Sequence, residues 1–291
     1  MATNLFQPEI EITTISFELN NGTERNLDIL RLDKIHPVVT GNKWYKLKYN
    51  IEAAKALGAQ SLLSFGGAYS NHLHALAYAG YLLNIKTIAY VRGEETTNPT
   101  LADCKAWGME LFFISREDYR KKTERAFLDT LVKRHPHAFI IPEGGDNDLG
   151  QKGCEEIVTK LQMEQYATIC VSIGTGTTFK GIRKSYTGNM KGFCALKNGK
   201  YLEANLLNLN AEQSAIYYDE YFGGFGKINN ELIEFVLDFE AKYQITLDLI
   251  YNAKLFFSLK ELLINAEFAK EKILIIHTGG AQGNRSQVEL I

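Results

Sequence analysis

Two lysines stand at the start of a predicted helix. Residues 40–50 read TGNKWYKLKYN, a Gly-Asn turn followed by an amphipathic pattern whose first turn carries Lys43 and Lys46. Because the N-terminus of a helix carries partial positive charge, cations are unfavourable there. Either the lysines are solvated at small cost, or an anion or an electrophile lies opposite them.

The composition points to an ordinary soluble globular protein with a small-molecule partner. Of the 291 residues, 45% are hydrophobic and 23% are charged, and 32 basic residues nearly balance 34 acidic ones. A charge this close to zero gives no electrostatic footprint for nucleic acid or an anionic membrane. The four cysteines form no C-x-x-C pair and the six histidines show no zinc spacing, so neither a disulfide framework nor a metal site is predicted.

The sequence shows no sign of membrane insertion or export. Its start lacks a basic region followed by an apolar one, and no apolar run approaches the roughly 18 residues of a membrane span. We therefore expect a cytoplasmic protein without a membrane partner.

Apolar runs rich in β-branched and aromatic residues alternate with helical patterns, which predicts an α/β fold with a parallel sheet. The predicted strands are residues 61–65, 87–91, 111–115, 138–142, 168–173 and 273–277. In the first helix, Trp44, Leu47, Ile51 and Ala54 form a stripe that would pack on a sheet.

Three further elements are predicted from local signals. A helix begins at Ser115, which has Asp118 three residues on as in a capping box, and runs to about Arg134. Residues 9–19 and 27–33 form a hairpin around an NNG turn, and residues 192–207 form a second hairpin that turns at Asn198-Gly199.

Glycine-rich turns follow three of the predicted strands. Gly66-Gly67 leads to Ser70 and Asn71 at an N-cap position, where free N–H groups could bind a carboxylate; a capped turn without a ligand is the alternative. Residues 174–178, GTGTT, could hold a phosphate, although they match neither G-x-G-x-x-G nor a P-loop, and a plain turn is again the alternative. His277 and Thr278 follow the third strand. Three such turns at the carboxyl edge of parallel strands would form a ligand crevice.

In this order, GNKWYKL, SFGGAYSNH, GTGTT and HTGG resemble the pyridoxal 5'-phosphate (PLP) enzymes of the tryptophan-synthase-β type. The similarity is greatest to the 1-aminocyclopropane-1-carboxylate deaminase and D-cysteine desulfhydrase family, from about residue 33 to 280. It implies two open three-layer α/β/α domains with mostly parallel sheets, the cofactor in the cleft between them, and a homodimer. We expect residues 1–44 and 150–291 to form the larger, cofactor-binding domain and residues 45–149 the smaller one.

The resemblance assigns the cofactor-binding residues. Lys43 would form the Schiff base with PLP, Lys46 would reach its phosphate, and the phosphate turn would be Gly174, Thr175, Gly176, Thr177 and Thr178. Desolvation and the neighbouring cation would lower the pKa of Lys43, so that it acts as nucleophile and then as base on the substrate Cα. On this interpretation an anion does lie opposite the two lysines.

The resemblance also assigns residues around the substrate and the cofactor ring. Ser70 would hold the substrate carboxylate or relay a proton, and Asn71 would bond the phenolic oxygen of the cofactor. His72 is similar to the desulfhydrase version of the motif. Thr278 would bond the ring nitrogen and leave it largely unprotonated, which favours β-elimination over racemisation or transamination. Tyr251 would be an active-site acid, base or nucleophile.

The sequence departs from the family at three positions. Asn252 stands where deaminases have the glutamate that bonds the ring nitrogen, Phe225 replaces a tyrosine near the substrate, and Tyr45 replaces an arginine that is common there. His72, Asn252 and Phe225 together count against a deaminase that opens the cyclopropane ring.

Several functions are compatible with these residues. The leading hypothesis is a PLP-dependent lyase that removes a β-substituent from a small amino acid such as D-cysteine and yields a keto acid and ammonia. A 1-aminocyclopropane-1-carboxylate deaminase is the alternative, and a racemase or dehydratase would use the same cofactor. An alternative of another class is a PLP-binding protein without turnover.

Overall fold

Strands and helices alternate along most of the chain, as the sequence predicts. The structure is a computed structural model that describes residues 9–196, 199–203, 206, 211–264 and 271–290. All six predicted strands are present. The strands are β1 Ile12–Glu18, β2 Glu24–Arg31, β3 Ser61–Gly66, β4 Lys86–Arg92, β5 Glu110–Ile114, β6 Ala138–Ile140, β7 Thr168–Ile173, β8 Asn189–Cys194, β9 Ser214–Tyr218 and β10 Ile273–His277. The α-helices are α1 Asn42–Ala56, α2 Asn71–Leu83, α3 Pro99–Ala106, α4 Arg116–Arg120, α5 Arg125–Arg134, α6 Asp148–Thr159, α7 Thr177–Ser185, α8 Asn230–Tyr243 and α9 Asn252–Leu262.

The strands form two sheets, and both are mostly parallel. The larger sheet has the order β1-β2-β10-β7-β8-β9, in which only β1 and β2 pair antiparallel. The smaller sheet has the order β5-β4-β3-β6 and is parallel throughout. The predicted α/β class and the N-terminal hairpin are therefore confirmed.

Two of the local predictions need correction. The second hairpin is wrong, because β8 pairs parallel with β7 on one side and with β9 on the other, which leaves no edge for a returning strand. Gly199 begins a short 3-10 helix, Gly199–Leu202, and Asn198 lies outside the described residues. The long helix from Ser115 is interrupted by the 3-10 turn Lys121–Thr123, although the Ser115 hydroxyl does accept the Asp118 N–H at 3.0 Å.

Helix α1 positions the two lysines by packing its predicted apolar stripe into the core. Trp44, Leu47, Ile51 and Ala54 are all buried. The helix lies against α6, where a Cβ at Gly153 would come within 1.9 Å of the Tyr45 carbonyl oxygen. Only a glycine allows the two helices to approach this closely.

The division of the chain into domains stays a prediction. The smaller sheet uses strands from residues 61–140, and the larger uses strands from residues 12–31 and 168–277. A boundary between residues 44 and 45 falls inside the continuous helix α1. Within the described residues, no helix combines the length and apolar character that a membrane span requires.

Candidate functional site

A cavity of about 340 Å³ lies where the carboxyl ends of β3 and β4 face those of β7 and β10. Its volume lies within the range of small-molecule and cofactor sites. The three glycine-rich turns line this one cavity, so their predicted convergence is observed. The predicted site residues among its lining are Lys43, Lys46, Ser70, Asn71, His72, Gly174, Thr175, Gly176, Thr178, Phe225, Tyr251 and Thr278.

Both lysines of α1 point into the cavity. The Lys43 ammonium donates to the Asn42 side-chain oxygen at 2.7 Å, and Asn42 in turn donates to the Thr178 hydroxyl at 2.8 Å. Burial, and secondarily the charge of Lys46, lowers the pKa of Lys43 to about 7. A large fraction of Lys43 is therefore a neutral amine at neutral pH, as a nucleophile or base requires.

Lys46 is buried beside Lys43 without a compensating contact. Its ammonium has no hydrogen-bond acceptor in the part of the chain that the structure describes, and burial lowers its pKa. A buried amine that is left unpaired costs free energy. An anion bound in the cavity would supply the missing partner.

The turn after β7 offers N–H groups to such an anion. Helix α7 begins after Gly176, which has a φ of +91° and provides no side-chain cap. Among the described residues, the backbone N–H groups of Thr175–Thr178 have no acceptor. Unpaired N–H groups and the positive end of a helix dipole form a phosphate-binding arrangement.

Thr177 belongs to this turn, but the structure does not bring its side chain to the cavity. The residue is fully buried, and its hydroxyl donates to the Asp146 carboxylate at 2.7 Å. The Thr175 hydroxyl lies 2.8 Å from that of Thr177. The side chain of Thr177 therefore fixes the shape of the turn.

The turn after β3 places Ser70 and Asn71 at the start of α2. The Ser70 hydroxyl accepts the Leu73 N–H at 3.2 Å, as the predicted N-cap requires. The N–H groups of Asn71 and His72 find no acceptor within the described chain. This helix terminus can therefore bind a carboxylate.

His72 presents an unprotonated ring nitrogen to the site. The Ser64 hydroxyl donates its one proton to the Ile141 carbonyl at 2.7 Å, so the contact of 2.9 Å between Ser64 and His72 Nε2 needs a donor on the ring. Nδ1 is then a lone-pair acceptor, and it is buried without a partner in the described residues. Burial, together with the charges of Lys43 and Lys46, lowers the pKa of His72 to about 3, so the ring is neutral.

Thr278 ends β10 within a polar network. Its hydroxyl lies 3.0 Å from the Ser172 hydroxyl and donates to Asn252 Oδ1 at 3.3 Å. Asn252 is fully buried and does not line the cavity: its amide donates to the Gly279 carbonyl at 3.0 Å and to the Asp248 carboxylate. Asn252 therefore supports the turn that carries Thr278, and the structure does not bring it to a ligand.

Tyr251 and Phe225 form the aromatic wall of the cavity. Their ring centroids are 6.0 Å apart, and a Cβ at Gly174 would lie 3.2 Å from the Tyr251 hydroxyl. Burial raises the pKa of Tyr251, so the hydroxyl stays protonated and can donate. Phe225 is 50% exposed, which places an apolar ring at the cavity mouth.

Further polar residues line the cavity that the sequence did not indicate, among them Arg92, Glu143, Ser172 and Asp248. Arg92 is the last residue of β4, so the rule that polar residues at the carboxyl ends of parallel strands converge would have found it. Asp248 precedes α9 and accepts the N–H groups of Ile250, Tyr251 and Asn252. In the sequence, Asp248 could have been recognised as an acidic residue just before a helix.

Two parallel sheets whose strand ends face one cavity define the fold as that of the tryptophan-synthase-β-like α/β enzymes, fold type II of the PLP-dependent enzymes. A crystal structure of a homologue of 1-aminocyclopropane-1-carboxylate deaminase superposes with a TM-score of 0.82 at 25% identity, over 99% of this chain and 95% of that one. A hydrogen sulfide-producing enzyme from Fusobacterium nucleatum shares the fold, with a TM-score of 0.67 at 14% identity over 97% of this chain and 98% of that one.

Sequence comparison finds relatives with the same names. The chain is 29% identical over 283 residues to a protein of Thermotoga maritima provisionally named 1-aminocyclopropane-1-carboxylate deaminase, covering 89% of each chain. It is 26% identical over 295 residues to the D-cysteine desulfhydrase of Klebsiella pneumoniae, covering 90% of this chain and 89% of that protein. No family model matches the chain. The predicted resemblance to deaminases and desulfhydrases is therefore confirmed.

Proposed function

We propose that the protein is a PLP-dependent lyase that acts on a small amino acid, as a D-cysteine desulfhydrase does. It removes the α-proton and the β-substituent, and the resulting enamine hydrolyses to a keto acid and ammonia. The observation that carries the proposal is the Lys43 amine, whose pKa is lowered to about 7 in a cavity that also contains the unpaired N–H groups of the 174–178 turn.

The residues present fit PLP on three observations. Lys43 offers a partly neutral amine to an aldehyde. Within the described residues, the 174–178 turn offers N–H groups without an acceptor to a phosphate, and the buried Lys46 amine makes no hydrogen bond. In this assignment Asn71 would hold the phenolic oxygen of the cofactor and Thr278 would lie at its ring nitrogen. The cofactor, when bound, supplies an electron sink for a carbanion at the substrate Cα.

The protein's own residues bind the substrate and move its protons. The free N–H groups at the start of α2, with Ser70, hold the carboxylate, and this fixes the Cα–H bond relative to Lys43. The neutral amine of Lys43 would accept the α-proton of the bound substrate. Tyr251 keeps its proton and can donate it to a departing group.

The alternatives differ in what they require of the same cavity. Ring opening by a 1-aminocyclopropane-1-carboxylate deaminase is disfavoured, because Phe225 brings no hydroxyl to the cavity mouth and Asn252 lies outside the cavity lining. A racemase or dehydratase would use the same lysine and phosphate turn. A PLP-binding protein without turnover would keep the cofactor site but release no product.

The test combines a spectral titration with product analysis. Purified protein supplied with PLP should develop the visible absorbance of a lysine-bound cofactor, and Lys43→Ala should lose it. Lys48→Ala is the matched control, because Lys48 lies on the same helix but pairs with Glu156 at 2.7 Å. A panel of D- and L-amino acids, with 1-aminocyclopropane-1-carboxylate, then identifies any keto acid released.

The outcomes separate the hypotheses. Keto acid from D-cysteine supports the lyase, and keto acid from 1-aminocyclopropane-1-carboxylate would favour the deaminase. Absorbance without any product would favour the binding protein, and no absorbance with excess PLP would overturn the proposal. We also propose a homodimer, which light scattering of the holoprotein would test.

A further inference from the structure

Asn71 has a partner that comes from the C-terminal part of the chain. Gln282, in the 3-10 segment Ala281–Leu290, donates its side-chain N–H to Asn71 Oδ1. Gln282 itself is not among the residues lining the cavity. The contact joins the 281–285 segment to the first residue of α2, 211 positions earlier in the chain.

The neighbours of Gln282 determine which way its amide points. Arg285 donates to Gln282 Oε1 at 3.3 Å, and so does the Thr100 hydroxyl, also at 3.3 Å. Arg285 is held by the Asp103 carboxylate at 2.5 Å, and Asp103 also contacts His74 at 3.0 Å. Because a guanidinium can only donate, the Gln282 oxygen must face Arg285. The Gln282 NH2 group must then face Asn71.

This orientation determines the orientation of Asn71. Its oxygen faces Gln282, which does not line the cavity, whereas Asn71 does, so the NH2 group is the end of the Asn71 amide that is left to the cavity. Nδ2 has no acceptor in the part of the chain that the structure describes. Asn71 thus offers the cavity a donor, whereas a flipped amide would offer an acceptor.

We propose that Gln282 is a positioning residue that keeps the Asn71 N–H directed at the phenolic oxygen of the bound cofactor. The inference rests on the proposed function, which places PLP in this cavity. A donor stabilises an anionic oxygen and a carbonyl destabilises it. The hydrogen bonds from Arg285 to Gln282 and from Gln282 to Asn71 therefore determine both the affinity for PLP and the pH at which the bound cofactor titrates.

Gln282→Glu reverses the direction of the hydrogen bond to Asn71 with almost no change in the shape of the side chain. The new carboxylate can still accept from Arg285 and Thr100, but it offers Asn71 an acceptor, so the Asn71 amide turns its carbonyl to the cavity. We expect the dissociation constant for PLP to rise about tenfold, and the midpoint of the visible pH titration to rise by about one unit. Gln60→Glu, the same change at an exposed residue, should alter neither.

Two controls separate the amide flip from other effects. The added charge at position 282 would also raise the midpoint, and high salt screens only part of that contribution because residue 282 is half-buried. Gln282→Met, neutral and of similar length, should give an intermediate shift, and thermal unfolding of each apoprotein reports whether it folds.

The inference is wrong if the folded Gln282→Glu variant, at high salt, has the same PLP affinity and the same titration midpoint as the wild-type protein. This holds even if PLP binds normally. An unchanged protein that gains no visible absorbance with PLP would instead overturn the proposed function. The two failures are therefore distinguishable.

Discussion

The turns after β3 and β7 are built alike but expose different numbers of N–H groups. Each joins a parallel strand to the start of a helix at the cavity. In the first, the Ser70 hydroxyl accepts the Leu73 N–H, and the two N–H groups before it have no acceptor among the described residues. In the second, Gly176 provides no side-chain cap, and four consecutive N–H groups have no acceptor in the described part of the chain. A capped helix start offers fewer N–H groups and suits a singly charged carboxylate. A helix start without a side-chain cap offers more N–H groups and suits a phosphate.

The two turns also differ in the cations beside them. Lys46 is buried, and it lines the same cavity as the 174–178 turn. The nearby carboxylate of Asp146, which acts to raise the pKa of Lys46 against the larger effect of burial, accepts the hydroxyl of Thr177 in that turn. Because a phosphate carries more charge than a carboxylate, it compensates a buried ammonium more fully. This difference supports the proposal that the 174–178 turn holds the cofactor phosphate and the turn after β3 holds the substrate carboxylate. Each of the following variants acts on one turn only.

The largest effect is expected from Lys46→Met, which removes the cation beside the phosphate turn. The dissociation constant for PLP should rise about a hundredfold, as for a buried charge-assisted contact. In the unchanged protein the rate of PLP uptake should rise through a pH of about 7, where Lys43 becomes neutral, and then level off. Removing a like charge raises the pKa of Lys43, so the midpoint should move to higher pH in Lys46→Met.

Stopped-flow absorbance across pH measures both quantities for Lys46→Met. Lys48→Met, on the same helix but at a lysine that pairs with Glu156 at 2.7 Å, provides the baseline. A midpoint that moves to lower pH, or an unchanged affinity, would contradict the placement of the phosphate beside Lys46.

Gly176→Ala should distort the phosphate turn and leave the carboxylate turn intact. Gly176 has a φ of +91°, and a Cβ there would lie 2.7 Å from the Leu206 side chain. We expect a loss of about 1–2 kcal/mol in unfolding free energy and a clearly weaker PLP affinity. Gly58→Ala is the matched control, because Gly58 has a φ of +67° with nothing within 4 Å. Gly58→Ala should lower the unfolding free energy without weakening PLP binding. Equal PLP affinities in the two variants would count against the 174–178 turn as the phosphate site.

Much of the fold was predictable because its elements depend on local patterns. The strands are short apolar runs and the α1 stripe follows helical spacing, and both are properties of neighbouring residues. The second hairpin failed because an Asn-Gly turn signal cannot show that β8 already has a neighbour on both sides. The pairing of distant strands overrides a local turn preference.

The site was predictable only in part, for a related reason. The order of four motifs indicated Lys43, Ser70 and the 174–178 turn, and the structure brings them to one cavity. A motif does not reveal which way a side chain points, and Asn252 and Thr177 turn away from the cavity to bond Gly279 and Asp146. The contact of Gln282 with Asn71 spans the chain, so no local pattern contains it.

The smallest effect is expected from Ser70→Ala, which acts on the carboxylate turn. Its loss of the N-cap hydrogen bond should cost about 1 kcal/mol of unfolding free energy. Because the proposed site of the substrate carboxylate lies beside this hydroxyl, KM should rise severalfold while the PLP affinity stays unchanged. Asn229→Ala is the matched control: the Asn229 side chain caps α8 by accepting the Leu232 N–H at 3.0 Å, and it does not line the cavity.

The comparison of Ser70→Ala with Asn229→Ala isolates binding from stability. Both variants should lose a similar unfolding free energy in urea, since each removes one side-chain cap. Only Ser70→Ala should change KM for the amino acid, because only its turn faces the substrate. If PLP affinity fell in Ser70→Ala while KM did not change, the two turns would have exchanged roles, and the carboxylate would belong at the 174–178 turn.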